Sequence, residues 1–240
     1  ALLSWWVLLD WGLMKQFCSA SALLLAGSLV NTLTYSAGSR VASVLSPALL
    51  LTSSPVLQVA AHQIAMQVWW FLSFLSVPMY MVAQSLLPAD IAAHHKDRLH
   101  ALVGLIARLS IGVAVSCTVA NIVIQTCFPF TFTSDARVVS LLQQVTPQAA
   151  VAQFFVCLTT ALDGVFIGTG QLSTFLSASV TATSAAWLWG AYSVRQGLGL
   201  RGYWNSLVVF SLARSAFYLT RLASLKKALK MGPPTSIEEK

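Results

Sequence analysis

Polar and apolar positions along the chain follow a membrane rhythm. Long stretches carry no charged residue at all: Gln16 to Ser39, Val41 to Ala89, Leu109 to Ser134, and Val138 to Val194 with Asp163 as the sole exception. A helix that crosses the hydrocarbon core needs about 20 predominantly apolar residues, so each interval holds one span or more. Six spans fit, near Phe17–Gly38, His62–Leu87, Leu99–Phe128, Val145–Gly168, Thr174–Val194 and Trp204–Leu225. Between them lie Pro88 with AAHHKDR, FTSDAR after Pro129, GTGQ, and RQGLGLRG, followed at the end by the basic LKKALK. The stretch Val41–Gln58 is apolar but broken by Pro47 and Pro55, which favours an interfacial or re-entrant loop over a seventh span. The expected fold is therefore all-α, a polytopic membrane bundle of six transmembrane helices. Residues 1–14 form an interfacial or pre-span segment, 15–230 the six-helix transmembrane lobe and 231–240 a polar tail.

Composition agrees with this pattern. Of 240 residues 57% are hydrophobic and 9% charged, against about 25% charged in soluble domains. The runs are too long and too many for a signal peptide, whose apolar region is about 7–15 residues. The chain opens on Ala1 and passes at once into WWVLLDWGL, which raises the expectation of further sequence upstream.

The net charge of +7 collects at helix ends, so membrane topology explains it better than nucleic acid does. Alternating spans put Lys15, Lys96, Arg98, Arg221, Lys226, Lys227, Lys230 and Lys240 on one side and Arg40, Arg137, Arg195 and Arg201 on the other. The richer side, with both termini, is expected to be cytoplasmic or its organellar equivalent. Trp69, Trp70, Trp187, Trp189, Tyr203 and Trp204 stand at or near positions where interfacial aromatic belts occur, with a deeper placement open for the first two pairs. Cys18, Cys117, Cys127 and Cys157 have no metal-ligand or disulfide spacing and read as packing residues facing lipid or other helices. The sequence contains no nucleotide-binding loop, no HExxH and no EF-hand pattern. No metal, cofactor or enzymatic constellation is expected, and transport energy would come from an ion gradient or a partner chain.

Asp163 is the residue that the pattern does not explain. A carboxylate at a helix centre costs about 2.5–3.5 kcal/mol on insertion scales, which makes it a candidate for function. Hydrocarbon favours its neutral form, as a group that gains and yields a proton requires. Thr159 and Thr160, one turn earlier, are candidates to hydrogen-bond it or to help hold a cation. Equally open is a structural role, with the carboxylate reaching the interface or a neighbouring helix. His62, Gln63 and Gln67 share one span and are candidates for a solute cavity. Arg108 and Arg214 lie inside spans, where Arg usually snorkels outward; for each the alternative is a substrate contact or a carboxylate partner, and Arg214 is also a cavity candidate. Gly164 and Gly168, with Ala178, Ala182 and Ala186, repeat small residues one turn apart and predict a tight hairpin of the fourth and fifth spans around GTGQ. The histidines of AAHHKDRLH read as a solvated loop.

Three segments carry a family resemblance. VAAHQIAMQVWWFLSFLSVPMYMVAQSL, ALDGVFIGTGQ and LGLRGYWNSLVVFSLARSAFYLTRL resemble, in order, motifs of the multidrug and toxic compound extrusion transporters, with the nearest likeness to the DinF-like branch. The resemblance covers roughly residues 15–230. The Val41–Gln58 connection is longer than usual in that family, and Gln171 stands where many members carry an acid. It implies one lobe, the C-terminal one, of a twelve-helix transporter whose lobes rock about a midplane site. It further implies export of an organic solute or xenobiotic in exchange for H⁺ or Na⁺, with the lipid bilayer, the solute and an N-terminal lobe as partners. The location implied is a multi-pass membrane position, in a plastid envelope for an algal or plant chain and otherwise in the plasma membrane. A non-transporting membrane fragment or assembly scaffold, and a lipid-linked oligosaccharide flippase of the same superfamily, remain alternatives.

Overall fold

The computed structural model describes residues 11–44 and 55–231, and for 37–44, 55 and 225–231 the backbone alone. Its helices are α1 (Trp11–Val44), α2 (Pro55–Ser73), α3 (Val77–Ala92), α4 (Lys96–Cys127), α5 (Ala136–Gly168), α6 (Leu172–Arg195) and α7 (Gly199–Met231). Among the described residues there is no strand. A 3₁₀ turn at Phe74–Ser76 joins α2 to α3 as one bent rod, so the described chain forms six rods.

The bend has a local cause. Pro78 occupies the first turn of α3 and has no N–H to offer Phe74. Side chains cover the disturbed ladder: Ser73 donates to the Trp69 carbonyl at 2.7 Å and Ser76 to the Ser73 carbonyl at 2.6 Å. From α4, the Cys117 thiol donates to the Leu72 carbonyl at 3.4 Å.

Four rods are long and apolar enough to cross a membrane: Trp11–Ser36, Val56–Ala92, Lys96–Cys127 and Ala136–Gly168. The last two rods also form, but α6 is diluted by serines and threonines and α7 carries Arg201, Arg214 and Arg221. Several boundaries differ from those the hydropathy pattern predicts. Helix α1 already includes Trp11–Met14, and α5 begins at Ala136 rather than near Val145. Asp135 caps α5 by accepting the Arg137 amide at 2.9 Å. The helix then runs through Pro147. Val41–Val44 close α1 and Pro55–Gln58 open α2; the rest of the expected loop lies outside the described residues, as do residues 1–10 and most of the expected polar tail.

The central rod is α5, which packs on α2, α3, α4 and α7. Its small residues explain how. A Cβ at Gly164 would stand 2.6 Å from the Tyr80 carbonyl oxygen, and one at Gly168 would stand 2.6 Å from that of Ala83. These two positions therefore seat α3 directly on α5. This corrects the expected hairpin, because α5 touches α6 only sparsely and α6 packs instead on α7 and α1. Ala182 and Ala186 accordingly sit with Phe210 of α7 and Tyr35 of α1. Ala178 joins a cluster with Ala161, Leu162 and Tyr218. The GTGQ turn reverses the chain through Gly170 at φ 75°, with the Gln171 amide donating to the Phe166 carbonyl at 2.8 Å.

Three of the expected belt aromatics, Trp69, Tyr203 and Trp204, belong to the core. Tyr203 and Trp204 are buried beside Trp69 and Leu142, because the start of α7 turns inward against α2 rather than toward the interface. Cys117 and Cys157 are buried, and Cys18 and Cys127 exposed; all four are free.

Candidate functional site

Asp163 is not alone. It projects from α5 between α6 and α7 and is 8% exposed; Arg214, on α7, is 4% exposed. One guanidinium nitrogen, Nη2 of Arg214, donates to both carboxylate oxygens, at 2.8 and 2.9 Å. The hydroxyl of Tyr218, one turn later on α7 and fully buried, donates to Oδ1 of the same carboxylate. Arg214 reaches α6 as well, through a long 3.4 Å contact with the Ser179 hydroxyl.

Aromatic faces cover the cation. The guanidinium carbon lies 5.6 Å from the Phe175 ring centroid and 5.8 Å from those of Phe210 and Tyr218. Tyr218 is itself stacked on Phe166 with centroids 4.8 Å apart. A buried charge is tolerated only when paired and hydrogen-bonded, and this cluster supplies both. Arg214 therefore does not snorkel: its charge is neutralised inside the bundle. Arg108 is exposed on the outside of α4, with Nε donating to the Gly104 carbonyl at 3.3 Å.

The expected threonine neighbours are absent from this cluster. Thr159 and Thr160 both donate to the Val156 carbonyl of their own helix, at 3.1 and 2.8 Å. In an apolar setting, the nearest backbone oxygen one turn back satisfies a hydroxyl without any rearrangement.

The other candidates gather elsewhere. A cleft of about 490 Å³ opens across α1 and α2, and its wall includes Tyr35, His62, Gln63, Gln67, Trp70 and Phe71. Gln63 and Gln67 are exposed to it on successive turns of α2. His62 is almost fully buried and meets the rings of Tyr203 and Trp204 edge-on, at 5.0 and 6.0 Å. Its Nδ1 is buried without a hydrogen-bond partner. Arg214 is not part of this wall; it lies behind it. The cleft wall contains amides, hydroxyls and aromatic rings, with no Lys, Arg, Asp or Glu among its described residues.

A second polar feature was not foreseen from sequence. Gln153 of α5 donates to the Ser73 hydroxyl at 3.1 Å and accepts from Asn121 at 3.2 Å. Gln125 donates to Asn121 at 2.9 Å and accepts from Thr146 at 3.1 Å. All five side chains are buried. This ladder ties α4 and α5 together and ends at the bend between α2 and α3. Its sequence signal is modest: two amides, Asn121 and Gln125, one turn apart in an otherwise apolar run.

Comparison with known proteins fits this architecture. The family model described as MatE matches residues 28–188. Protein DETOXIFICATION 44, chloroplastic, from Arabidopsis thaliana is 27% identical over 179 residues, covering 72% of this chain and 33% of that protein. Protein DETOXIFICATION 47, chloroplastic, from the same plant is 25% identical over 167 residues, covering 69% and 31%. Among solved structures, a MOP superfamily transporter from Pyrococcus furiosus superposes with a TM-score of 0.72 at 17% identity. An outward-facing multidrug resistance MATE family transporter superposes with a TM-score of 0.74 at 16% identity. Both alignments cover 90% of this chain and 47% of the other. The chain thus spans about a third of its curated relatives and about half of each solved transporter.

Proposed function

The chain belongs to the MatE family of membrane transporters, and from that premise we propose that it forms one six-helix lobe of a secondary antiporter. The lobe helps export an organic solute or xenobiotic in exchange for H⁺ or Na⁺, opposite an N-terminal lobe that completes the solute path. The observation that carries this reading is the open cleft across α1 and α2. A solute site is typically a concave, mostly apolar surface with a few polar groups that fix orientation, and the amides of Gln63 and Gln67 among Trp70 and Phe71 meet that description. An anionic lipid-linked glycan would need basic lining. The absence of Lys and Arg from the described wall favours a small organic solute over a flippase cargo.

Coupling is assigned to Asp163, with a constraint that its setting imposes. A proton or Na⁺ reaching this carboxylate competes with the Arg214 guanidinium for the same two oxygens. Removing one partner of a buried pair costs about 3–5 kcal/mol, so ion arrival must be accompanied by movement of Arg214 and of α7 with it. The chloroplastic relatives support a plastid membrane as the location for a chain from a photosynthetic cell.

The test is efflux of a fluorescent organic dye from proteoliposomes holding the protein in its natural reading frame. Flux should collapse with nigericin if H⁺ is the coupling ion, or with monensin alone if Na⁺ is. Flux that ignores both gradients, or no flux at all, overturns the antiporter reading in favour of a scaffold.

A further inference from the structure

The cleft and the charge pair are not independent sites. Tyr35 of α1 forms part of the cleft wall, where its ring meets Trp70 edge-on at 5.3 Å. The same ring meets Phe210 of α7 edge-on, with centroids 5.5 Å apart. Phe210 in turn covers Arg214 at 5.8 Å, and Arg214 holds Asp163. Two ring contacts therefore separate a solute-facing surface from a buried ion pair. Among the described cleft residues Tyr35 alone has a ring contact with Phe210: His62 meets Tyr203 and Trp204, while Trp70 meets Trp69, Phe74 and Tyr35 itself.

The backbone of α1 is fastened at this point. The Tyr203 hydroxyl donates to the Tyr35 carbonyl at 3.1 Å, and the Thr34 and Thr183 hydroxyls are 2.9 Å apart. Tyr35 cannot move freely without moving α6 and α7. Phe210 is buried, and on that side of Tyr35 close-packed side chains transmit a displacement to their neighbours.

We infer that Tyr35 is a positioning residue that links the state of the Asp163–Arg214 pair to the shape of the α1/α2 cleft through Phe210. This rests on the reading of the cleft as a solute wall. When Arg214 loses its carboxylate, its guanidinium leaves the cover of Phe210, the Phe210 ring follows, and Tyr35 changes its tilt against Trp70. Linkage makes the effect reciprocal: a solute against Tyr35 biases the pair by the same free energy.

The experiment reads cleft shape without any solute. Cys18 and Cys127, which are exposed, are replaced by Ser, Gln67→Cys is introduced, and its labelling rate with N-ethylmaleimide is followed in the full chain in phosphatidylcholine nanodiscs. Asp163→Asn should change that rate by about twofold or more, the low end of coupling between residues in one contact network. In a Tyr35→Leu background the change should vanish, while Tyr35→Phe, which keeps the ring, should preserve it. No rate change in the parent, or an equal change in Tyr35→Leu, overturns the inference. Phe210→Leu interrupts the same path from its other end, so a variant that does not fold, as judged by circular dichroism, does not end the test. Dye efflux is scored separately. Lost efflux with intact labelling linkage rejects the exporter and keeps Tyr35; intact efflux without linkage rejects Tyr35 alone.

Discussion

Asp163 and Arg214, 51 residues apart in the chain, meet through a single nitrogen that bridges both carboxylate oxygens at 2.8 and 2.9 Å. The pair joins the central rod α5 to α7, two helices that also meet where the Tyr218 ring stacks on Phe166. It is thereby both a fastening and a charge store, and the two roles can be separated by substitution.

Asp163→Asn leaves the guanidinium unneutralised, and the cost should be about 3 kcal/mol or more of stability. The double replacement Asp163→Asn with Arg214→Gln removes both charges and should recover most of it, since neutral polar groups can still hydrogen-bond across the same gap. Thermal unfolding in detergent checks this. Equal destabilisation in the single and double variants would show that the pair contributes shape rather than charge.

Gly164→Ala should separate α3 from α5. The added methyl would lie 2.6 Å from the Tyr80 carbonyl oxygen and 2.7 Å from its Cα, both backbone atoms that cannot rotate away. Overpacking of this kind costs about 1–3 kcal/mol. Gly190→Ala, where nothing stands within 4 Å of the new methyl, is the control and should leave the unfolding temperature unchanged or slightly higher.

Much of this architecture was legible because hydrocarbon imposes a strict composition. Uncharged intervals locate the helices, and the insertion cost of a carboxylate singles out Asp163. Its partner was harder to read. Arg214 lies in the last rod, and one-dimensional spacing says nothing about which face of α7 meets α5. The Gly164/Gly168 pair shows the same limit: small residues announce that a backbone approaches but not whose, and the one that does is α3 rather than the next helix along. The threonines failed as neighbours because the Val156 carbonyl was nearer than the carboxylate. Asn121, Gln125 and Gln153 escaped notice because amides carry no formal charge and disappear into an apolar average.

Acid should test the start of α5. Asp135 accepts from both the backbone and the guanidinium of Arg137, and the Arg137 side-chain hydrogen bond holds its carboxyl below the usual carboxylate range. A depressed folded-state value stabilises above the unfolded value of about 3.9 and loses that contribution as pH falls through the folded one. Asp135→Asn retains a capping oxygen without the titration. The gap in unfolding temperature between parent and variant should therefore be widest near pH 6 and close toward pH 3. A gap constant across that range would mean that the carboxylate charge contributes nothing to the cap.

The buried amide ladder supports the bend in the α2–α3 rod. Gln153 stands at its junction, holding Ser73 on one side and Asn121 on the other, and none of these groups has access to water that would replace a lost partner. Gln153→Leu keeps the volume but strands the Asn121 amide, at about 1–3 kcal/mol if left unpaired, and takes from the Ser73 hydroxyl the bond it accepts, leaving it only its donation to Trp69. Replacing Asn121 by Leu in addition should relieve part of that penalty. Because Ser73 also donates to the Trp69 carbonyl just before the 3₁₀ turn, the loss should be felt at the bend itself. Hydrogen exchange of the amides from Phe74 to Met79 should accelerate in Gln153→Leu by more than exchange in α6, which has no contact with the ladder. A uniform acceleration across both regions would assign Gln153 to general stability and leave the bend to Pro78 alone.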